Sequence, residues 1–369
     1  MISRLCLLFF LPVLFVTRVH AQVMNTTRMD TIETTAVGHV AVGGYVDTYF
    51  AYNFSATNSQ SIPYYVSSAR NNQFQINLAY VEVRYRAKGL RAHFAPGVGT
   101  YMNDNYKTEP GTLKNIVVAN VGVLLSAKRK IWVDMGVFTS HYTNESAISK
   151  DHLMYTRSFA PEYVPYYLTG AKLSIPLTEK VNSYFFLLNG WQLIEDNNKG
   201  KSIGTQIEYQ PDPSMLFNWN TYLGDERSRI HPNYRMRFFT DVFWIYQPTK
   251  RFSATSCIYH GWQNISDGSV RKWWQANIIG RYSVTDNWSL SGRFEYFSDP
   301  DLALIAPVTS ANSFSTFSTG LCANYKVYNN ALLRFEMKQL FSGGDIFLKS
   351  NNQETKSNLL GVVSLAAWF

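Results

Sequence analysis

The chain is poor in the features that build most enzymes. It has three cysteines in 369 residues, Cys6, Cys257 and Cys322, and no spacing among them that would hold a metal. Cys257 and Cys322 lie in the body of the chain, and the sequence leaves open whether they pair. No Gly-x-Ser-x-Gly or His-Glu-x-x-His motif occurs, so neither a serine-nucleophile elbow nor a zinc-protease helix is written here. After residue 21 no apolar run is long enough for a membrane helix. Linkers, helical repeats and composition shifts are also missing, which points to one domain. The net charge is +8, but basic residues are scattered among acids without a run, so nucleic acid is not an expected partner. No cofactor and no metal are implied.

Aromatic residues are abundant, at 15% of the chain, with Tyr and Phe numbering 24 each. A transmembrane β-barrel uses such a composition directly. Its lipid face takes apolar residues, its lumen polar ones, and both interfaces take aromatic girdles. The N-terminus agrees. Arg4, the apolar stretch 5–16 and the small-residue end Val19-His20-Ala21 read as a signal peptide over 1–21, and Pro12 with the shortness of the run speaks against an anchor. Residues 22–37 form a polar lead-in, and 38–369 the barrel. The last residue, Phe369, closes an apolar strand and is read as the signal for the barrel-assembly machinery.

Segments of β-type composition recur at 38–53, 72–87, 89–102, 114–127, 129–140, 164–177, 180–192, 201–210, 214–224, 233–247, 251–262, 271–284, 286–298, 313–328, 331–342 and 356–369. They predict an all-β, antiparallel up-and-down barrel of about 16 strands, an even number as in single-chain bacterial barrels. Short turns such as Ala87-Lys88-Gly89 and Thr285-Asp286-Asn287 alternate with long polar connections at 54–71, 103–113, 141–163, 193–200, 225–232, 263–270, 299–312 and 343–355. Short turns belong on the periplasmic side and long loops outside.

Within the strands, residues alternate with period two. Met236, Phe238, Val242 and Trp244 oppose Arg235, Arg237 and Asp241. Leu333, Phe335 and Met337 oppose Arg334, Glu336 and Lys338. An Arg or Lys turned to mid-bilayer lipid costs about 2–4 kcal/mol, so the charged faces point inward. That assigns Arg84, Arg86, Arg91, Lys172, Arg235, Arg237, Arg281, Arg293, Arg334 and Lys338 to the lumen, with Asp47, Glu82, Asp134, Glu208, Asp241, Glu295 and Glu336. Cations outnumber acids, which predicts a mild anion preference. The phase of 74–80 differs from that of Glu82, as a bulge would make it. A barrel this wide leaves an aqueous channel unless it is plugged. The longest connection, 141–163, carries Glu145, Asp151, Arg157 and Glu162, and either enters the lumen as a constriction or lies over the mouth.

Four stretches resemble a known family. Gly43-Gly44-Tyr45-Val46-Asp47-Thr48-Tyr49-Phe50-Ala51-Tyr52-Asn53-Phe54 is similar to the opening strand of the OmpL-like β-barrel porins of Gram-negative bacteria. Asn72-Gln73-Phe74-Gln75-Ile76-Asn77-Leu78-Ala79-Tyr80-Val81-Glu82-Val83 is similar to their second strand. Tyr163-Val164-Pro165-Tyr166-Tyr167-Leu168-Thr169-Gly170-Ala171-Lys172-Leu173 is similar to the stretch that re-enters the barrel after the long loop, and Leu188-Asn189-Gly190-Trp191 resembles the strand beyond it. The resemblance implies an outer-membrane pore for small hydrophilic solutes and no catalytic residues. Two other readings remain open. One is a non-conducting adhesin or subunit of a larger surface assembly. The other is a barrel-borne hydrolase, for which His141, His152, His231 and His260 with Ser140, Ser158 and Ser256 are the candidates. Lipid and the assembly machinery are expected partners, and self-association is left open.

Overall fold

The computed structural model describes residues 38–369; the expected signal peptide 1–21 and lead-in 22–37 lie outside the described residues. Sixteen long strands close into one antiparallel barrel. They are β1 (His39–Asn53), β2 (Gln73–Ala87), β3 (Leu90–Val98), β4 (Ile116–Ser126), β5 (Ile131–Thr139), β6 (Tyr167–Pro176), β7 (Val181–Leu188), β8 (Ser202–Asp212), β9 (Met215–Asp225), β10 (Tyr234–Tyr246), β11 (Phe252–Ile265), β12 (Val270–Ser283), β13 (Trp288–Asp299), β14 (Phe314–Tyr328), β15 (Ala331–Phe341) and β18 (Ser357–Trp368). Two-residue strands β16 (Phe347–Leu348) and β17 (Glu354–Thr355) make a separate hairpin in the last long connection. Each barrel strand pairs with its sequence neighbours, and β18 returns to β1. Gly44 N donates to Phe369 O at 3.2 Å and Phe369 N to Gly44 O at 3.1 Å, so the terminal residue extends the closing seam.

Tight turns connect the strands at one rim, and long loops at the other. The long connections are 54–72, 99–115, 140–166, 189–201, 226–233, 300–313 and 342–356. The loop expected over 263–270 shrinks to 266–269, because β11 and β12 stay paired out to Asn264 and Val270. The walls are inverted relative to a water-soluble protein. Phe74, Leu321 and Met135 are outward and exposed, whereas Arg293, Arg334 and Gln206 are inward and buried. Aromatic pairs ring both ends, Phe238 with Trp262 and Trp274 with Tyr296 near the long loops, Trp288 with Tyr325 near the turns. In β2 the register shifts where Asp47 pairs Leu78 and Thr48 pairs Ile76. Asn77 is the extra residue, which lets Phe74 and Ile76 face out while Glu82, Arg84 and Arg86 face in.

Cys257 on β11 and Cys322 on β14 are both buried and free. Two intervening strands alone put them roughly 14 Å apart at the usual strand spacing, and Cys322 lies further along β14 than Ser318, which shares the cross-strand row of Cys257, too far for a disulfide.

At the base of the longest loop, Gly136 on β5 pairs Gly170 on β6. Gly136 has φ +130°, and a Cβ there would sit 2.1 Å from the Ala119 carbonyl oxygen. Only glycine fits this backbone. Gly136→Ala is therefore expected to cost on the order of 1–3 kcal/mol. It should lower the temperature at which the compact band on unheated gels is lost. Gly280→Ala, with open space around the new methyl, should leave that temperature unchanged.

Candidate functional site

The connection between β5 and β6, residues 140–166, does not lie over the mouth. It folds back inside the barrel. Its composition explains why: Leu153, Met154, Tyr155, Phe159 and Ala160 are all at most 2% exposed and join the interior apolar cluster. Left in water they would expose a large apolar area, and burying each large side chain contributes about 1.5–3 kcal/mol. Phe159, in the short helix α1 of this loop (Phe159–Glu162), packs on Tyr163, Phe297 and Phe314.

An irregular segment inside a barrel needs partners for its backbone groups. The inward charges of the wall supply them. Glu336 accepts from Tyr155 N at 2.8 Å and Thr156 N at 2.9 Å, and binds the Thr156 hydroxyl. Glu295 accepts from Phe159 N at 2.6 Å, and Asp241 from Thr143 N at 2.7 Å. The cations hold carbonyls. Arg334 donates to Ser149 O at 2.7 Å and His152 O at 3.2 Å, Arg293 to Thr156 O at 2.6 Å, and Lys338 to Arg157 O at 3.1 Å. Lys338 also pairs with Glu295 at 2.9 Å, and Arg293 with Glu336 at 3.3 Å. Charges that period-two alternation sends inward are thus used to bind the loop, and they are buried beneath it rather than washed by lumen water.

The loop's own charges behave likewise. Glu145 accepts from Ser158 N at 2.9 Å and from the Ser158 hydroxyl. Arg157 is 1% exposed and donates to the carbonyls of Tyr155, Ser146 and Ala147. Asp151 pairs with Lys150 at 3.0 Å, and Lys150 reaches over the Trp368 ring. Tyr45 and Ser149 hydroxyls meet at 2.7 Å, so the loop descends to the first and last strands. Asp47 accepts from the Asn77 side chain at 2.9 Å.

Elsewhere several inward charges keep contact with water, while others stay buried. On the β2–β6 wall Arg84 is 37% exposed, Glu82 20%, and Arg91 and Lys172 16% each; Arg86 is half-buried. Arg91 grips Asp134 through two hydrogen bonds of 2.7 and 2.6 Å, with Lys172 at 3.7 Å, and Glu82 binds Arg84 and His93. Arg281 is half-buried, while Glu208 is buried and accepts from Asn182 at 3.2 Å. Arg235 stands at the long-loop rim on the Pro232 and Tyr234 carbonyls. Arg237 is buried, donating to Gln263 at 2.9 Å with its guanidinium 5.0 Å from the Trp191 ring centre.

The candidate histidines and serines do not assemble. His141 stacks on Phe186 with ring centres 4.1 Å apart, and His231 on Tyr234. Ser140 Oγ accepts from Tyr142 N, and the Ser256 hydroxyl donates to Asn277 O. His152 accepts from Ser146 N at 2.8 Å; burial, with Arg157 and Arg334 nearby, pushes it well below its ordinary value and keeps it neutral. Among the described residues no cluster of three or more His, Cys, Asp or Glu is arranged for a metal. What sequence reasoning missed were the loop's backbone anchors, Thr143, Tyr155 and Thr156. The signal for them was the apolar run Leu153-Met154-Tyr155 inside a connection expected to face water.

Two outcomes follow from this lock. Glu336→Ala leaves Arg293 and two buried N–H groups short of a partner. It should destabilise the barrel by about 3–5 kcal/mol, read by denaturant titration, and expose residues 140–166 to protease. The second concerns Glu162, which accepts from Val66 N at 2.8 Å and so ties the loop to connection 54–72. Burial pushes its carboxyl up to about 7, against the Val66 N–H and Arg157. The folded form then holds the proton more tightly than the unfolded one. Its contribution is full below the ordinary carboxylate range and is lost as pH rises through about 7. Stability measured from pH 5 to pH 8 should fall, and Glu162→Gln should flatten that slope.

A sequence profile described as “Putative beta-barrel porin-2, OmpL-like” matches residues 39–369. No curated protein sequence matches the chain. Solved structures share the fold at low identity. The outer membrane channel DcaP of Acinetobacter baumannii aligns with a TM-score of 0.60 at 10% identity, covering 91% of this chain and 99% of that one. An anion-selective porin from Comamonas acidovorans gives 0.58 at 10%, covering 90% and 100%. The trimer form of OmpT, an outer membrane protein of Vibrio cholerae, gives 0.58 at 11%, covering 90% and 99%. A profile match over nearly the whole barrel, on a closed sheet with an apolar outer wall and a charged interior, makes this chain a member of the OmpL-like β-barrel porin family, a porin of the bacterial outer membrane.

Proposed function

We propose that the barrel passes small hydrophilic solutes by passive diffusion along the space beside the inserted loop, with a mild preference for anions and without catalytic chemistry. One observation carries the preference. On the β2–β6 wall, Arg84, Arg86, Arg91 and Lys172 face the lumen against Glu82 and Asp134, and the cations retain the larger water contact. A ring or wall of excess positive charge raises the local concentration of anions and lowers that of cations. The inserted loop narrows the passage, so conductance should be small for a barrel of this girth.

Burial of Arg293, Glu295, Arg334 and Glu336 under the loop favours a second reading, a sealed barrel that serves as an adhesin or as part of a larger surface assembly. Self-association belongs to either reading. Lipid around the apolar wall and recognition of Phe369 by the assembly machinery complete the proposed partners.

Single-channel recording of the purified barrel under a salt gradient separates the two. Small stepwise openings with an anion-selective reversal potential are expected. The double variant Arg84→Glu, Arg86→Glu should move that potential toward cations. A folded barrel that never conducts, with the loop intact or after Glu336→Ala, would favour the sealed reading.

A further inference from the structure

A second site lies apart from the lumen charges, at the long-loop end of the seam between β1 and β18. A cavity of about 260 Å³ opens there between connections 54–72, 300–313 and 342–356. That is just below the range of drug-sized pockets and fits a small solute. Its polar lining is made of amides and hydroxyls, notably Asn58, Asn352, Asn358 and Ser350, with Lys349 as its one cation and no carboxylate. Val308 and Leu348 add apolar surface.

The walls are held in place by the fold. The Thr57 hydroxyl meets that of Ser350 at 2.7 Å, and Asn58 donates to Ser350 O at 3.3 Å, which fixes the first long loop to the last. The β16–β17 hairpin carries Asn352 at its tip with φ +63°. At the bottom Asn358 is 2% exposed, and its Oδ1 has no hydrogen-bond partner among the described residues. A buried acceptor in that state calls for a donor from outside the chain.

We infer that this cavity is a binding site for a neutral, hydroxyl-rich solute of sugar-ring size, which it holds at the outer mouth before passage. Every ligand hydroxyl is both donor and acceptor, and side-chain amides offer both functions in one plane. With no carboxylate in the lining, a cation has no counter-charge. Lys349 is exposed and leans on Gln353, so an anion would meet one solvated ammonium, a weak anchor. Val308 and Leu348 suit the C–H face of a ring. The inference rests on the diffusion reading only for the solute's onward path; binding itself is independent of conduction.

The test is isothermal titration of the folded full-length barrel in detergent with glucose, and separately with glucose 6-phosphate. Saturable glucose binding is expected. Asn352→Gly, which removes the amide yet suits the positive φ, and Asn358→Leu should each weaken it at least fivefold while the compact gel band persists. Absent glucose binding, binding that both variants leave unchanged, or binding of the phosphate ester alone would overturn the inference. Single-channel recording of the same samples keeps the readings apart. A barrel that conducts without binding glucose loses this site and keeps the pore, and one that binds without conducting does the reverse.

Discussion

Every backbone N–H and C=O in the hydrocarbon layer needs a partner within the chain, because lipid supplies none. The architecture follows from that constraint. A sheet satisfies it only when closed, so β18 must find β1, and the seam runs to the last residue, with Phe369 and Gly44 exchanging two backbone hydrogen bonds. Closure in turn removes every edge that another chain could extend.

The same constraint acts a second time inside. A sixteen-strand barrel is too wide for its own side chains to fill. In this chain the loop 140–166 enters that space, bringing apolar side chains and unpaired backbone. Wall charges answer the backbone groups, carboxylates taking N–H and cations taking C=O. Charge-assisted hydrogen bonds of this kind are stronger than neutral ones, and each depends on its partner staying in place, since a buried charge stripped of its partner is costly. The interior is therefore divided. One part is a dry lock around Arg293, Glu295, Arg334, Glu336 and Lys338. The other is a wetter, cationic wall on β2–β6 around Arg84, Arg86, Arg91 and Lys172. The proposed conduction and selectivity rest on the second part, and the anchoring of the loop on the first.

The long-loop end repeats the arrangement on a smaller scale. Connections 54–72 and 342–356 are tied by hydroxyl and amide contacts rather than by ions. They leave a cavity at the seam lined mainly by amides and hydroxyls, with Lys349 as its one cation.

The sequence by itself determined the wall. Alternation with period two is a local property, so strand number, the outward Met236, Phe238 and Val242, the inward Arg237 and Asp241, and the phase change before Glu82 were all legible. The alternation of short and long connections was legible too, apart from the segment 263–270, where pairing continues through residues that looked like loop. What the tertiary structure decided was which inward charges meet water. Tyr155 N and Glu336 are 181 residues apart in sequence, and no local pattern encodes that meeting. The separation of Cys257 from Cys322 follows from the two strands between them, whereas the enclosure of Asn358 depends on closure, because β18 lies beside β1 only when the last strand has returned to the first.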